Sequence, residues 1–354
     1  MRVLDRYIVA SILRAAAVVG LLVLGLSLVS TFLSQADDVG EGGFCAGDLV
    51  LYALLKMPDH LHMLLPAIAL LGSLIALGRL AAGSELVVMR TYGISVLRLG
   101  GSVALAGLIL ALFSAVFGEW AAPVASHTAE SFRHAARYGE RMEPVEGGWW
   151  LRAAGDAVRI DGTLSGEVLV GVRIYRSGKN GQLKAILQAA NARFDNGGWV
   201  LHDIDVTHFH QDKVSTEHIS HMAWGIELRP AFLQLTVVDP NELSSLELHR
   251  YIAYLQENSV SAKKYRLVLW RNLVNPLTVL VLAVFALPFA FGALRSGAVS
   301  QRLFVGGFAG LVFFMGNEIA VSSGQVYGLP AWLAASWPTL LLAAATLYWL
   351  WHQR

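Results

Sequence analysis

Few residues in this chain are placed to do bond-making chemistry. His202, His208 and His210 occupy even positions of one alternating segment, and His218 and His221 follow on the next. Side chains at i and i+2 of a strand converge on one face, but a zinc site needs three or four ligands with an ordered second shell. Neither an HExxH helix nor a CxxC pair occurs, so these histidines read as surface residues and no metal site is expected. The sequence has no GxSxG elbow for a nucleophilic serine and no Walker A loop for a nucleotide, so it implies no catalytic residue and no cofactor. Any energy the protein uses must then come from a partner.

The polar residues inside apolar stretches carry more information. Glu119, Arg271, Asn275, Asn317 and Glu318 stand in such stretches, and a charge in hydrocarbon costs several kcal/mol unless it faces a cavity or a partner. Glu119, Arg271 and Glu318 lie near the ends of their segments, where snorkelling to the interface is also open to them. Arg133, Arg137 and Arg141 recur every four residues, which sets them on one helical face. That stripe either suits a phosphorylated or carboxylated lipid head group or forms a solvated face beside Glu130 and Glu140.

The elements that position these residues are membrane spans. The chain has 354 residues, of which 55% are hydrophobic and 15% charged, with a mean hydropathy of +0.52. This leaves far less charge than a soluble domain carries. The single Cys45 permits no internal disulfide. A span needs roughly 20 apolar residues, and six segments qualify: Ala15 to Leu33, Leu61 to Ala82, Leu97 to Trp120, Leu267 to Gly292, Leu303 to Val321 and Ala331 to Trp351. The first is preceded by an amphipathic lead-in from Met1 to Arg14 and reads as a signal anchor rather than a cleaved peptide. Arg2, Arg6 and Arg14 place the N-terminus in the cytoplasm, and six spans return the C-terminus there. Leu49 to Lys56 reads as a short separate helix stopped by Pro58, and Pro276 and Pro288 should bend span four. Lys263, Lys264, Arg266 and Arg271 enter span four from the outer side, against the positive-inside tendency, which weakens after a long translocated domain.

Between spans two and three, Gly83 to Gly93 makes a short polar break flanked by Arg79, Arg90 and Arg98, a cytoplasmic signature. Ser84 is expected as its N-cap, Glu85 in its first turn and Gly93 at its end. Leu86, Val87 and Met89 would then face the cytosol, an arrangement that suits docking of a soluble partner. Between spans three and four the composition changes. After a polar helix from Ala125 to Arg141, the stretch from Glu143 to Thr236 carries alternating runs, from Trp149 to Arg152 through Val214 to Trp224, separated by Gly-rich turns, which predict several strands. They point to an antiparallel sandwich or jelly roll outside the membrane. The alternation of Val168, Val170, Val172 and Ile174 predicts one buried face. The expected fold class is therefore a six-span α-helical membrane protein with an all-β domain between helices three and four. Its parts are residues 1–125, 126–245 and 246–354.

Val3 to Ile8, the Ser84 to Met89 stretch, Gly118 Glu119 Trp120 with Pro123, Trp270 to Pro276 and Pro288 to Ser296 together resemble the LptF/LptG permease family. The resemblance covers the whole chain. It implies a multi-pass protein of a Gram-negative inner membrane with a periplasmic β-jellyroll. It also implies assembly with an LptF partner, a dimer of the ATPase LptB and LptC, and delivery of lipopolysaccharide to LptA through bridged jellyrolls, with no nucleic acid. Ser84, Glu85, Leu86, Val87, Met89 and Arg90 then match the family's coupling helix. Arg133 and Arg137 resemble head-group contacts, and Phe304, Phe308, Leu311 and Met315 resemble the acyl-chain surface. Thr31, Asp37 and Asp38 stand where other members carry basic residues, which shifts the cationic role to Arg133, Arg137 or the partner. Two other readings remain at this stage, a mechanotransmitter that moves its outer domain without passing lipid and a membrane enzyme, the latter disfavoured by the missing constellation.

Overall fold

The computed structural model describes residues 3–40, 43–138, 143–153, 156–164, 168–177, 182–195, 198–209, 213–226, 240–257, 261–291 and 299–352. Arg141, His210 and Arg295 lie outside them. Six helices are long and apolar enough to cross a membrane. Helix α1 (Val3–Ser34) joins the lead-in and first span without a break, and α2 (Ala46–Ala82) contains the second. The seven-residue α3 (Glu85–Thr91) leads into α4 (Val96–Val116). A π turn at Phe117–Ala121 carries α4 on into α5 (Ala122–Tyr138). After the β domain come α6 (Ser245–Glu257), α7 (Lys263–Phe285), α8 (Leu287–Phe291), α9 (Val299–Tyr327) and α10 (Ala331–His352).

The short helix expected before Pro58 is not separate, because α2 runs on through Pro58 and Pro66. A proline in a helix interior removes one backbone bond and costs about 3 kcal/mol. Here a capping box starts the helix, with Asp48 accepting the Cys45 amide at 2.9 Å, and Leu49 and Tyr52 are buried against Phe44 and Ala129. Beyond the proline Leu65, Ile68 and Ala69 are buried against Ala16 and Val19 of α1, and packing on both sides outweighs the proline's cost. In span four the chain does break ahead of Pro288, at Ala286, whereas Pro276 is carried inside α7.

Small residues bring the helices together. A Cβ on Gly72 would lie 2.6 Å from the Ala16 Cα, so α1 and α2 touch backbone to backbone. On another side of α2, Gly306 and Gly310 of α9 seat the side chains of Leu74 and Leu70. Helix α2 is thus flanked by α1 and α9.

The β domain is a six-stranded antiparallel sheet in the order β1-β2-β3-β4-β5-β6, from β1 (Glu143–Ala153) through β2 (Asp156–Leu164), β3 (Val168–Ser177), β4 (Leu183–Asp195) and β5 (Gly198–Phe209) to β6 (Val214–Trp224). The expected all-β insertion is present. Its strands follow one another as a meander, so no jellyroll crossover occurs among the described residues. A single sheet encloses a core around Trp199, Leu187 and Ile160 because it is creased. The register skips Asp161 opposite Gly171, and Ala190, Asp203 and Ser220 in the same row. Gly171 (φ +66°) and Asp203 (φ +56°) are left-handed there, and the register is the same on both sides of the row, so one residue of each strand goes unpaired without a bulge. Beyond the row the buried phase shifts by one residue, from Leu169 to Val172 on β3, Ala189 to Ala192 on β4 and Leu201 to Ile204 on β5. Val168 and Val170 therefore do not share the buried face of Val172 and Ile174, and His202 and His208 fall on opposite faces.

Gly171→Ala would place a Cβ 2.6 Å from the Asp161 carboxylate in a left-handed backbone. It should destabilise the β domain by about 1–3 kcal/mol, read by pulse proteolysis in urea. His218 pairs with Asp205 at 2.9 Å and Asp203 at 3.4 Å. The hydrogen bond to Asp205 and the two carboxylates raise its pKa above the ordinary imidazole value. This contribution is complete below the ordinary value and is lost as pH rises through the raised one. The unfolding midpoints of the native protein and His218→Gln should therefore converge as pH rises past neutrality.

Candidate functional site

Helix α3 is held at one end of the bundle by its own sequence. Gly93 (φ +84°) closes it in a Schellman arrangement, with the Ile94 amide bonded to the Met89 carbonyl and the Gly93 amide to that of Arg90. At the other end Ser84 is left-handed (φ 59°) and makes no side-chain cap, contrary to expectation. Its carbonyl instead receives the amides of Val87 and Val88. Leu86 is 3% exposed in a core with Ile8, Ile12, Leu77 and Leu99, and Met89 packs against the same core. The expectation that Leu86 and Met89 face outward is thus corrected, since their i, i+3 spacing forms the seat. The outer face belongs to Val88, Arg90, Thr91 and Tyr92, with Tyr92 84% exposed. Val88 and Tyr92 were not singled out from the sequence, although their i, i+4 spacing marks a second apolar face. Two further bonds tie this end together: the Tyr7 hydroxyl donates to Glu85 at 3.0 Å, and the Ser102 hydroxyl to Asp5 at 2.9 Å, with Arg98 3.9 Å from Asp5.

The opposite end of the bundle, where the β domain joins, carries a partly buried ion network. Lys56 of α2, nearly enclosed, lies 2.9 Å from Glu130 of α5 and 2.5 Å from Glu242. The Tyr52 hydroxyl donates to Glu130 at 2.9 Å. Arg133 reaches Glu130 at 3.1 Å, Gln35 at 2.8 Å and Asp38 at 3.8 Å, and stacks over the Tyr52 ring. Arg137 meets Asp38 at 3.2 Å. Arg133 and Arg137 therefore do not form an open basic stripe. Asp38, which interrupts the basic pattern after span one, is their counter-ion. Lys56 and Glu242, separated by 186 positions, meet here without a local signal in the sequence.

Other polar residues of the spans are also partnered. Glu119, in the π turn, accepts the Ser245 and Leu246 amides at 3.1 Å each and so caps α6, beside a capping box between Ser244 and Glu247. Gly118 lies against His62, whose ring fills the space a Cβ would need. Arg271 bridges α7 to α9 through Glu318 at 2.6 Å. Asn275 faces His62 at 3.4 Å.

Along the flanks the picture is apolar. Phe304, Phe308, Leu311 and Met315 all lie on one exposed face of α9, continued by Val305, Val312 and Ile319. Helix α1 exposes Val18, Leu21, Leu22, Leu26, Val29 and Leu33. Among the described residues no group of three or more His, Cys, Asp or Glu is placed to hold a metal.

Removing one partner of a buried ion pair strands the other charge. Lys56→Ala should lower stability by about 3–5 kcal/mol, measured as thermal unfolding of the purified protein, while Arg137→Ala should cost less.

Residues 6–352 match the family described as Lipopolysaccharide export system permease LptF/LptG. The chain is 32% identical over 351 residues to the lipopolysaccharide export system permease protein LptG of Escherichia coli strain K12, covering 98% of each chain. It is 32% identical over 350 residues to the protein of the same name from Haemophilus influenzae strain Rd, covering 98% of this chain and 97% of that one.

Proposed function

The chain belongs to the LptF/LptG family of lipopolysaccharide export permeases, and we propose that it forms one wall of the lipid path and the lever that works it. One observation carries this reading. In their most apolar stretches, the flanking helices α1 and α9 are only 22% buried, against 61% for the α2 they enclose. Two long apolar faces on either side of one rigid helix suit a second permease subunit of the same family, LptF, with acyl chains between the two. Phe304, Phe308, Leu311 and Met315 supply the acyl surface on α9.

The α3 end faces the cytoplasm, where Val88, Arg90 and Tyr92 meet an ATPase dimer of the LptB kind, and the β domain stands in the periplasm. Since α3 shares a core with α1, α2 and α4, movement of the ATPase passes to all three helices. The chain itself does no chemistry. A phosphate monoester on a lipid head group, which carries more charge than a single carboxylate, can take the place of Asp38 on Arg133 and Arg137 at the rim. The edge strands of the creased sheet can pair with the β domains of LptC and, beyond it, LptA, because an open edge pairs readily with another chain.

Photoreactive residues at Phe308 and Leu311 are expected to crosslink to lipopolysaccharide in the assembled complex. Crosslinking to the partner subunit alone would favour mechanotransmission and overturn the conduit reading. Tyr92→Ala combined with Val88→Glu should weaken ATPase binding by about tenfold or more, equivalent to about 1.4 kcal/mol, read by co-purification and stimulated ATP turnover. Unchanged values would remove α3 from the coupling role.

A further inference from the structure

The cations that enter span four against the positive-inside tendency, Lys263, Lys264 and Arg266, line a cleft of about 530 Å³ between the start of α7 and the α9–α10 turn. All three are exposed. None makes an ion pair among the described residues, in contrast to Arg271 further along α7, which holds Glu318. The cleft has no carboxylate among its described lining residues. Its other walls are Trp270, Trp332 and Leu329, and both indoles are partly exposed, at 40% and 51%. Tryptophan favours the interface between hydrocarbon and head groups. The cleft therefore combines uncompensated positive charge with an apolar, aromatic flank of the kind that favours such an interface.

From these observations we infer a binding site for the phosphate of an anionic phospholipid in the leaflet on the β-domain side. Lys263, Lys264 and Arg266 hold the phosphodiester as charged donors, which are stronger than neutral ones, and Trp270 and Trp332 flank the glycerol and upper acyl carbons. At 3.6 residues per turn, Gly324, which lines the cleft, lies about 160° round α9 from Phe308. The site thus faces away from the surface assigned to the exported lipid. Its ligand is a resident lipid that seals the seam where Leu267, Val321, Ala334 and Ala335 join α7, α9 and α10. This inference needs the chain to span a bilayer but does not need it to conduct lipopolysaccharide.

The test compares thermal unfolding of the full-length protein in neutral detergent with added phosphatidylglycerol, phosphatidylcholine or inorganic phosphate, alongside native mass spectrometry of bound lipid. Phosphatidylglycerol is expected to raise the midpoint by about 2 °C or more, and the other two are not. The triple variant Lys263→Gln, Lys264→Gln, Arg266→Gln should keep the midpoint of the native protein in detergent alone while losing the increment and one bound phosphatidylglycerol. Lys263→Arg with Lys264→Arg should retain both. Equal protection of the triple variant, equal protection by phosphatidylcholine, or equal protection by inorganic phosphate would each overturn the lipid site.

Discussion

Hydrocarbon gives apolar helices no reason to associate, because lipid tails are as apolar as leucine. Everything in the bundle depends on how closely backbones approach where that drive is missing. Helix α2 is the centre of this packing. Gly72 lets it touch the α1 backbone at Ala16, Gly78 leaves room for Leu303, and Gly306 and Gly310 of α9 accept Leu74 and Leu70. Gly107 does the same for α4 against Ala283 of α7. Dispersion contacts of this kind are individually small and add up only when the surfaces interlock. The result is a rigid centre whose flanking helices keep their outer faces free. The close contacts of α1 and α9 with α2 fall at these small residues, and the bulky residues on their other sides remain outside.

Polar groups in the same environment obey a different rule. A buried charge is tolerated when paired, and removing either partner is expensive. Lys56 shows the effect at the domain junction. It binds Glu130, on the helix that leads into the β domain, and Glu242, on the segment that leads out. Both stalks are thereby fastened to α2. Glu119 adds a third fastening, because its carboxylate replaces the missing partners of the first amides of α6. The π turn that presents Glu119 is the irregular turn through which α4 continues into α5, and Gly118 is required there by the ring of His62. A residue that looks costly as an isolated charge in an apolar segment is a helix cap once its neighbour in space is known.

The spans and the inserted all-β domain were legible in the sequence because both rest on local periodicity and length, which burial enforces residue by residue. What was not legible depends on contacts between distant positions. Pro58 carries the local signal of a helix end, yet the helix continues because Tyr52 and Lys56 before it are anchored to α5. Leu86 and Met89 carry the signal of apolar residues on a small polar helix, and only the core built from α1, α2 and α4 decides that they point inward. The crease defeated the period-two reading for a related reason. One residue of each strand from β2 to β6 goes unpaired in the same row, left-handed as glycine on β3 and as aspartate on β5, and no single strand reveals that the row is aligned. The role of Asp38 was hidden likewise, since its partners Arg133 and Arg137 lie about a hundred positions away.

These two ends of the molecule decide what α3 is mechanically joined to. The helix is too short to be stable alone, as isolated helices below about 12–15 residues are marginal, so its shape exists only against its seat. Leu86 in the shared core and the Tyr7 to Glu85 bond mean that α3 cannot tilt without carrying the ends of α1, α2 and α4. At the far end, α2 cannot move without its ion-paired stalks. The bundle therefore responds as one body between the two attachment points, and deformation is left to surfaces that have no internal partner: the outer faces of α1 and α9. Its free apolar faces and its buried charges are in this sense complementary, with the charges fixing what must stay together and the faces defining where motion is allowed.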